Sequence, residues 1–237
     1  MALVHSPKIV TDNLLLCLDA GNTKSYPGTG TAWNDLSGNG HNATLSGVSF
    51  SSDNGGCITF DGSNDYGYIS SLDLPSRPFT LSVWIKHETN LDGWQSYMGQ
   101  DSSNAGNNAV FYFQKKSHST SDANAFSLVV RPNNSDSTSS SRVNGTTASL
   151  NVWTNLCGVL SSSDMKMYVN GELEGTLSNS NTLAPRTGNF VIGASFWTDN
   201  LTDWFKGKMS TAMVYSNELS AAEVKQNFDA HKHRFGL

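Results

Sequence analysis

The chain has 237 residues, of which 37% are hydrophobic and 15% charged, and a formal net charge of −5. That length can bury a sizeable core in one large all-β domain, and a surplus of Ser, Asn, Gly and Thr favours many short strands joined by polar turns. The charge is spread out, with no Lys/Arg block to neutralise a row of phosphates, which argues against a nucleic-acid partner; no apolar run approaches the ~20 residues that span a bilayer, which argues against membrane insertion.

The first apolar run, 14–18, reads as a strand and is too short for a signal-peptide core, so synthesis in a cytoplasm is expected. The loop after it holds Asp19, Asn22 and Asp35 as secondary candidates for a cation. Strands at 57–60 and 66–70 then flank the acidic turn of ITFDGSNDYGYI. That turn has three readings. It is a plain connection in which Asp61 and Asp65 cap backbone N–H groups, a seat for Ca²⁺, or part of a catalytic pair. Ca²⁺ takes about six to eight oxygens, and Asp61, Asn64 and Asp65 supply part of such a shell. No second acid stands at a spacing suited to acid/base work, which disfavours the third reading.

FTLSVWIK alternates with a period of two: Phe79, Leu81, Val83 and Ile85 share one face, with Thr80, Ser82, Trp84 and Lys86 on the other, as in a half-buried antiparallel strand. The stretch 109–114 is another strand. In AFSLVVR, Phe126, Leu128 and Val130 alternate with Ser127, Val129 and Arg131. The run 133–142, NNSDSTSSSR, reads as a mobile loop that could close over a binding face. Further strands follow at 152–160, 189–195 and 207–215, and MKMYVNG ends in Asn170-Gly171, the preferred pair for a type I′ hairpin. With one hydrophobic face each, this many strands require two stacked sheets. One helix is specified near the C-terminus, where Ser220 and Glu223 form a capping box, Leu219 staples to Val224, and Val224 and Phe228 share a face. No linker divides these elements, so 1–237 is expected to be one domain. Cys17, Cys57 and Cys157 sit among strand residues and read as buried, reduced thiols.

LLLCLDAGNTKSYPGTGTAWNDLSGNGHNATL, ITFDGSNDYGYI, FTLSVWIK, MKMYVNGELEGTL and FKGKMSTAMVYSNELSAAEVKQNFDAHKHRFGL, in that order, resemble the laminin-G-like or pentraxin-like branch of the concanavalin A-like lectin/glucanase superfamily. The opening and closing segments are particularly similar to domains of bacteriophage virion proteins of the tail or capsid. The resemblance implies an all-β, two-sheet antiparallel jelly roll with a short C-terminal helix, and location in a virus particle. It also implies frequent stabilisation by Ca²⁺ at the Asp61, Asn64, Asp65 turn, and glycan binding through a concave sheet or rim loops. Relatives often add a carboxylate from the last strand, where this sequence has Ser210 and Thr211.

Stacking on sugar rings needs flat aromatic faces with amides and carboxylates beside them for the hydroxyls. SFWTDNLTDWF matches this with Trp197, Asp199, Asn200, Asp203 and Trp204, and LDGWQSYMGQD with Trp94, Gln95, Tyr97, Gln100 and Asp101. Arg131, Tyr112 and Gln114 line the concave sheet if their strands face inward. The paired acids of glycoside hydrolases, as in E-x-D-x-x-E, are missing. Glu88 and Asp92 have the wrong spacing, and Glu172 and Glu174 flank a hairpin. The Arg, Gln-x-His and Tyr-rich strands of polysaccharide lyases are not present as a set, and there is no G-x-S-x-G elbow. His231 and His233 read as part of an exposed polar tail. The sequence therefore points to a non-enzymatic carbohydrate-binding module of a virion. A purely structural, oligomer-forming virion subunit and an atypical polysaccharide-active enzyme are the alternatives.

Overall fold

The computed structural model describes residues 7–70, 72, 74–88, 93–100, 111–116, 123–131, 140–180, 183, 189–197 and 200–237, with backbone alone at 196 and 197. Its first nine strands are β1 (Leu14–Asp19), β2 (Ala32–Trp33), β3 (Ala43–Ser46), β4 (Ser49–Ser51), β5 (Cys57–Asp61), β6 (Tyr66–Ile69), β7 (Phe79–Lys86), β8 (Gln95–Gln100) and β9 (Phe111–Lys115). Then come β10 (Ala125–Val130), β11 (Ser141–Thr147), β12 (Trp153–Leu160), β13 (Asp164–Val169), β14 (Glu172–Ser178), β15 (Phe190–Ile192), β16 (Ser195–Trp197), β17 (Asn200–Thr202) and β18 (Lys206–Tyr215). Helix α1 (Ala221–His231) and a 3₁₀ turn, Lys232–Phe235, close the chain.

The strands form two antiparallel sheets and a small hairpin. The first sheet runs β14-β13-β12-β7-β18-β5-β4, with β1 beside β5 on the same edge of the long β18. The second runs β11-β10-β9-β8-β15-β6-β3-β2, and β16 pairs only with β17. The period-two faces read from sequence meet between the sheets. Phe79, Leu81, Val83, Ile85, Met165 and Met167 from the first and Phe111, Phe113, Phe126, Leu128 and Val130 from the second belong to one buried cluster. Asn170 and Gly171 both take positive φ, 51° and 81°, as a type I′ turn requires.

β7 is not half-buried. Its outward residues form rows with their neighbours, and both rows are covered. Tyr168, Cys157, Ser82, Met213 and Cys17 lie side by side across five strands, under Leu219 and Val224 at the start of α1. Trp84, fully buried, stacks on Phe235 with ring centroids 4.1 Å apart and on Phe228 at 5.6 Å. Val224 and Phe228 thus dock as their spacing suggests, and the capping box forms, with Ser220 N–H donating to Glu223 Oε2 at 2.7 Å. The tail is not a free polar end: Arg234 donates to Asp19 Oδ1 and the Gly56 carbonyl, both at 2.6 Å, and so carries Phe235 onto Trp84. All three cysteines are free and buried, and burial pushes the Cys17 thiol up to about 12.

Removing Phe235 strips one face of a fully buried Trp84. Phe235→Ala is expected to cost about 3 kcal/mol in urea unfolding, with a red-shifted tryptophan emission. A cost under about 1 kcal/mol would mean that the C-terminal turn does not seal this sheet.

Candidate functional site

With the outer face of the first sheet covered, the recesses of interest lie on the outer face of the second and at its rim. One row crosses it as Arg142, Val129, Tyr112, Gly99, Val191 and Tyr68, and a parallel row as Asn144, Ser127, Gln114 and Ser96. The β16–β17 hairpin lies over part of this surface, where Tyr112, Val129, Val191 and Ala194 form a small apolar cluster with Leu201 and Trp204. The hairpin lies close on Gly99, where a Cβ would stand in ordinary contact with the Ser195 Cα at 3.8 Å.

Beside the hairpin a cleft of about 470 Å³ opens, lined by Trp94, Tyr112, Gln114, Val129, Arg131, Ser140, Arg142, Thr202 and Asp203. A second recess of about 510 Å³ shares Trp94 and Asp203 and adds Asp61, Ser63, Trp204 and Lys206. Trp94 and Asp203 therefore form the ridge between them. Arg131 donates to the Tyr112 hydroxyl at 2.7 Å, with its guanidinium 4.9 Å from the Tyr112 ring centroid, and Arg142 lies 5.0 Å from the Trp94 ring. Burial lifts the Asp203 carboxyl above its ordinary value, and the Arg131 charge partly opposes this.

The ridge is held from several sides. Asp203 takes φ 52°, which a short polar side chain tolerates, and its carbonyl accepts the Ser96 N–H at 2.7 Å. Tyr97 is an extra residue in β8, between Ser96 opposite Gln114 and Met98 opposite Phe113. This bulge puts the Tyr97 ring in the core while Ser96 stays on the outer face. Lys115, fully buried, donates to the carbonyls of Gly93 at 2.9 Å and Lys116 at 3.0 Å, so its charge is spent holding the segment that presents Trp94. Under the ridge, His87 meets the Tyr97 hydroxyl at 3.0 Å and sets its ring edge-on to Phe205. Burial, with the Lys115 charge behind it, lowers the His87 pKa to about 3.

Of the residues singled out from sequence, Trp94, Tyr112, Gln114, Arg131 and Asp203 meet in the first cleft, and Trp204 borders the second while packing on Tyr66. Asn200 is exposed on β17 and lines neither. Asp199, Asp101, Asp92 and the Trp197 side chain lie outside the described residues. Gln95, Tyr97 and Gln100 are buried and structural: Gln95 accepts the Lys206 N–H, and Gln100 donates to the Leu72 carbonyl. Sequence reasoning missed Arg142, because NNSDSTSSSR reads as a loop; residues 132–139 lie outside the described residues, but Ser141 and Arg142 begin β11. The available signal was alternation in SRVNGTT, which places Arg142 and Asn144 on one face.

The acidic turn forms an Asx turn. Asp61 Oδ1 accepts the Ser63 N–H at 2.7 Å, and Asp65 Oδ2 accepts the Asp61 N–H at 2.8 Å. Asp65 is buried against Gly47, and burial raises its pKa. The residue across the ladder from Asp61 is Lys206, a cation; Ser210 lies at the far end of β5, donating to the Gly56 carbonyl at 3.0 Å. Among the described residues no group of three or more His, Cys, Asp or Glu converges on a metal-sized space. With its carboxylates turned to backbone donors and a lysine beside it, this turn fits Ca²⁺ poorly. Asp19 and Asp35 are likewise committed, to Arg234 and to the Cys17 and Ser37 N–H groups.

Two antiparallel sheets around one core, with an open cleft on an outer face and a helix sealing the other, define a lectin-like β-sandwich. The chain belongs to the concanavalin A-like lectin/glucanases superfamily, through the Laminin_G_3 family, which it matches over residues 61–225. No curated protein matches the sequence. Among solved structures it is similar to the binding domain of botulinum neurotoxin DC in complex with SialylT, at 17% identity and a TM-score of 0.67, covering 93% of this chain and 52% of that one. It is similar to domain 4 of AbnA, a GH43 extracellular arabinanase from Geobacillus stearothermophilus, in complex with arabinotriose, at 17% identity and 0.67, covering 91% and 98%. It also resembles the Trypanosoma rangeli sialidase in complex with sialic acid, at 11% identity and 0.68, covering 94% of this chain but only 33% of that one. The chain thus spans about half of the neurotoxin structure and a third of the sialidase, and at these identities the likeness is one of fold.

The buried His87 titrates with a defined sign. Its folded pKa lies below the unfolded value of ~6.5, so it contributes stability above that pH and loses it progressively down to about 3. His87→Gln is expected to reduce the slope of unfolding free energy against pH between about 6 and 4 by roughly one proton, ~1.4 kcal/mol per pH unit. An unchanged slope would show that His87 titrates normally.

Proposed function

We propose that this chain is a non-enzymatic, lectin-like module that binds carbohydrate in the cleft between Trp94, Tyr112, Arg131 and Asp203. One observation carries the reading: two aromatic side chains, Trp94 and Tyr112, line one recess beside an amide, guanidiniums and a carboxylate. Structures that share this fold over half, nearly all and a third of their length are complexes with SialylT, arabinotriose and sialic acid, which supports sugar as the ligand class. Glycoside hydrolysis uses two carboxylates across the bond that breaks, and the first cleft presents one acid, Asp203, among the described residues. The similarity to a neurotoxin binding domain supports binding as the role.

The finer reading is that the domain belongs to a bacteriophage virion and adsorbs the particle to surface polysaccharide. Its support is the likeness of the opening and closing segments to virion domains. Ca²⁺ stabilisation is a separate element of the proposal, and the geometry of the Asp61–Asp65 turn favours binding without it.

A glycan array run with and without EDTA tests the site and the ion together. Binding that survives EDTA and falls at least tenfold in Trp94→Ala, with an unchanged melting temperature, is expected; no glycan signal in either condition would leave a purely structural role. Mass spectrometry of purified particles from cells expressing the gene should find the chain as a stoichiometric component, and its absence would remove the virion reading.

A further inference from the structure

We infer that the cleft selects a sugar ring carrying an anionic group, a carboxylate or a sulfate, held between Arg142 and Arg131. This rests on the carbohydrate-binding reading above and narrows it. Two guanidiniums line one recess of about 470 Å³, and Asp203 is the single acid that lines it among the described residues. Arg142 Nη1 is shielded from water and donates to no acceptor in the structure. An N–H left this way costs free energy that a bound oxyanion would recover, and a planar guanidinium fork matches a carboxylate in bidentate fashion.

The electrostatics agree with the geometry. Burial, and then repulsion from Arg131, pull the Arg142 pKa below its ordinary value. A ligand anion beside Arg142 offsets both the burial of its charge and the repulsion from Arg131. Arg142 lies against Trp94, which leaves its edge N–H groups for a ligand, and Arg131 lies beside it against Tyr112. The chain as a whole is acidic, at −5, so the preference is local. It suits one charged ring or a short acidic oligosaccharide better than a long polyanion, which the rest of the surface repels.

Matched ligands separate this inference from the one beneath it. Calorimetry on the full chain would compare oligogalacturonides with their methyl esters, 3′-sialyllactose with lactose, and a sulfated galactan oligosaccharide with its desulfated form. At least one acidic member is expected to bind ten times or more tighter than its neutral partner, and Arg142→Gln to lose that margin, with melting temperature and circular dichroism as controls for folding. Arg142→Lys, which keeps the charge without the fork, should recover part of it for carboxylate ligands and most of it for sulfate. Equal affinity for acidic and neutral partners, or full acidic preference in Arg142→Gln, overturns the anionic selection while leaving a neutral-sugar lectin standing. Binding of none of these ligands, together with a silent glycan array, overturns both.

Discussion

The structure depends on the burial of Trp84. A β-sandwich has one core and two outer faces, and whichever outer face stays open becomes the surface on which a ligand can rest. Trp84 points away from the core, on the central strand β7, and is nonetheless 0% exposed, because Phe228 and Phe235 stack on it. Those two rings come from a helix and a 3₁₀ turn that the sequence specifies at the far end of the chain. The guanidinium of Arg234, fastened to Asp19 and to the Gly56 carbonyl, fixes where that turn lands. The result ties the first strand, the strand entering the acidic turn, the centre of the sheet and the C-terminus into one unit. It also disposes of the first sheet as a binding surface, so the second sheet is the one left free.

On that second sheet the site is rigid where it presents chemistry. The Trp94 segment is braced by Lys115 through the Gly93 carbonyl, by the Asp203 carbonyl through the Ser96 N–H, and by Gln95 through the Lys206 N–H. These braces come from β9, from the hairpin and from β18. Trp94 and Asp203, the two residues shared by both recesses, are therefore positioned by three elements that also belong to the sandwich. Preorganisation of this kind matters for sugar binding, in which each hydrogen bond displaces water and yields little net free energy unless its geometry is set in advance. The buried Lys115 and neutral His87 are costly groups to place in a core. Their position directly beneath the ridge is the reason to regard them as part of the site's support rather than incidental.

The fold was legible wherever period-two alternation ran for six or more residues, as in FTLSVWIK, AFSLVVR and MKMYVNG. In those strands the core face follows from the sequence alone. Legibility failed where a second layer changed the meaning of a face. The outer face of β7 looked solvent-exposed because nothing local announces that Phe235, some 150 residues away, will cover it. It failed again at β8, where the bulge at Tyr97 breaks the alternation and turns a promising Trp-Gln-Tyr-Gln run into one site residue and three structural ones. Arg142 was hidden by composition: a serine-rich stretch runs straight into a strand, and a window average sees only the serines. Tyr112, Arg131 and Gln114 were readable as a set because they lie at alternate positions on neighbouring strands; what the sequence withheld was which of the two outer faces they share with solvent.

The acidic turn shows how one motif can keep its shape while its chemistry changes. Asp61 and Asp65 satisfy the backbone N–H groups of a tight connection between two strands, and that requirement alone is enough to hold both carboxylates in place. Lys206, across the ladder from Asp61, supplies a fixed positive charge beside those carboxylates. The same residue then borders the second recess with Asp61, Trp94 and Asp203. The turn thus contributes a carboxylate and an ammonium group to the rim of the cleft. The separation of charge is legible along the surface: two guanidiniums at the β10–β11 end, mixed charges at the β5–β18 end, and the Trp94–Asp203 ridge between.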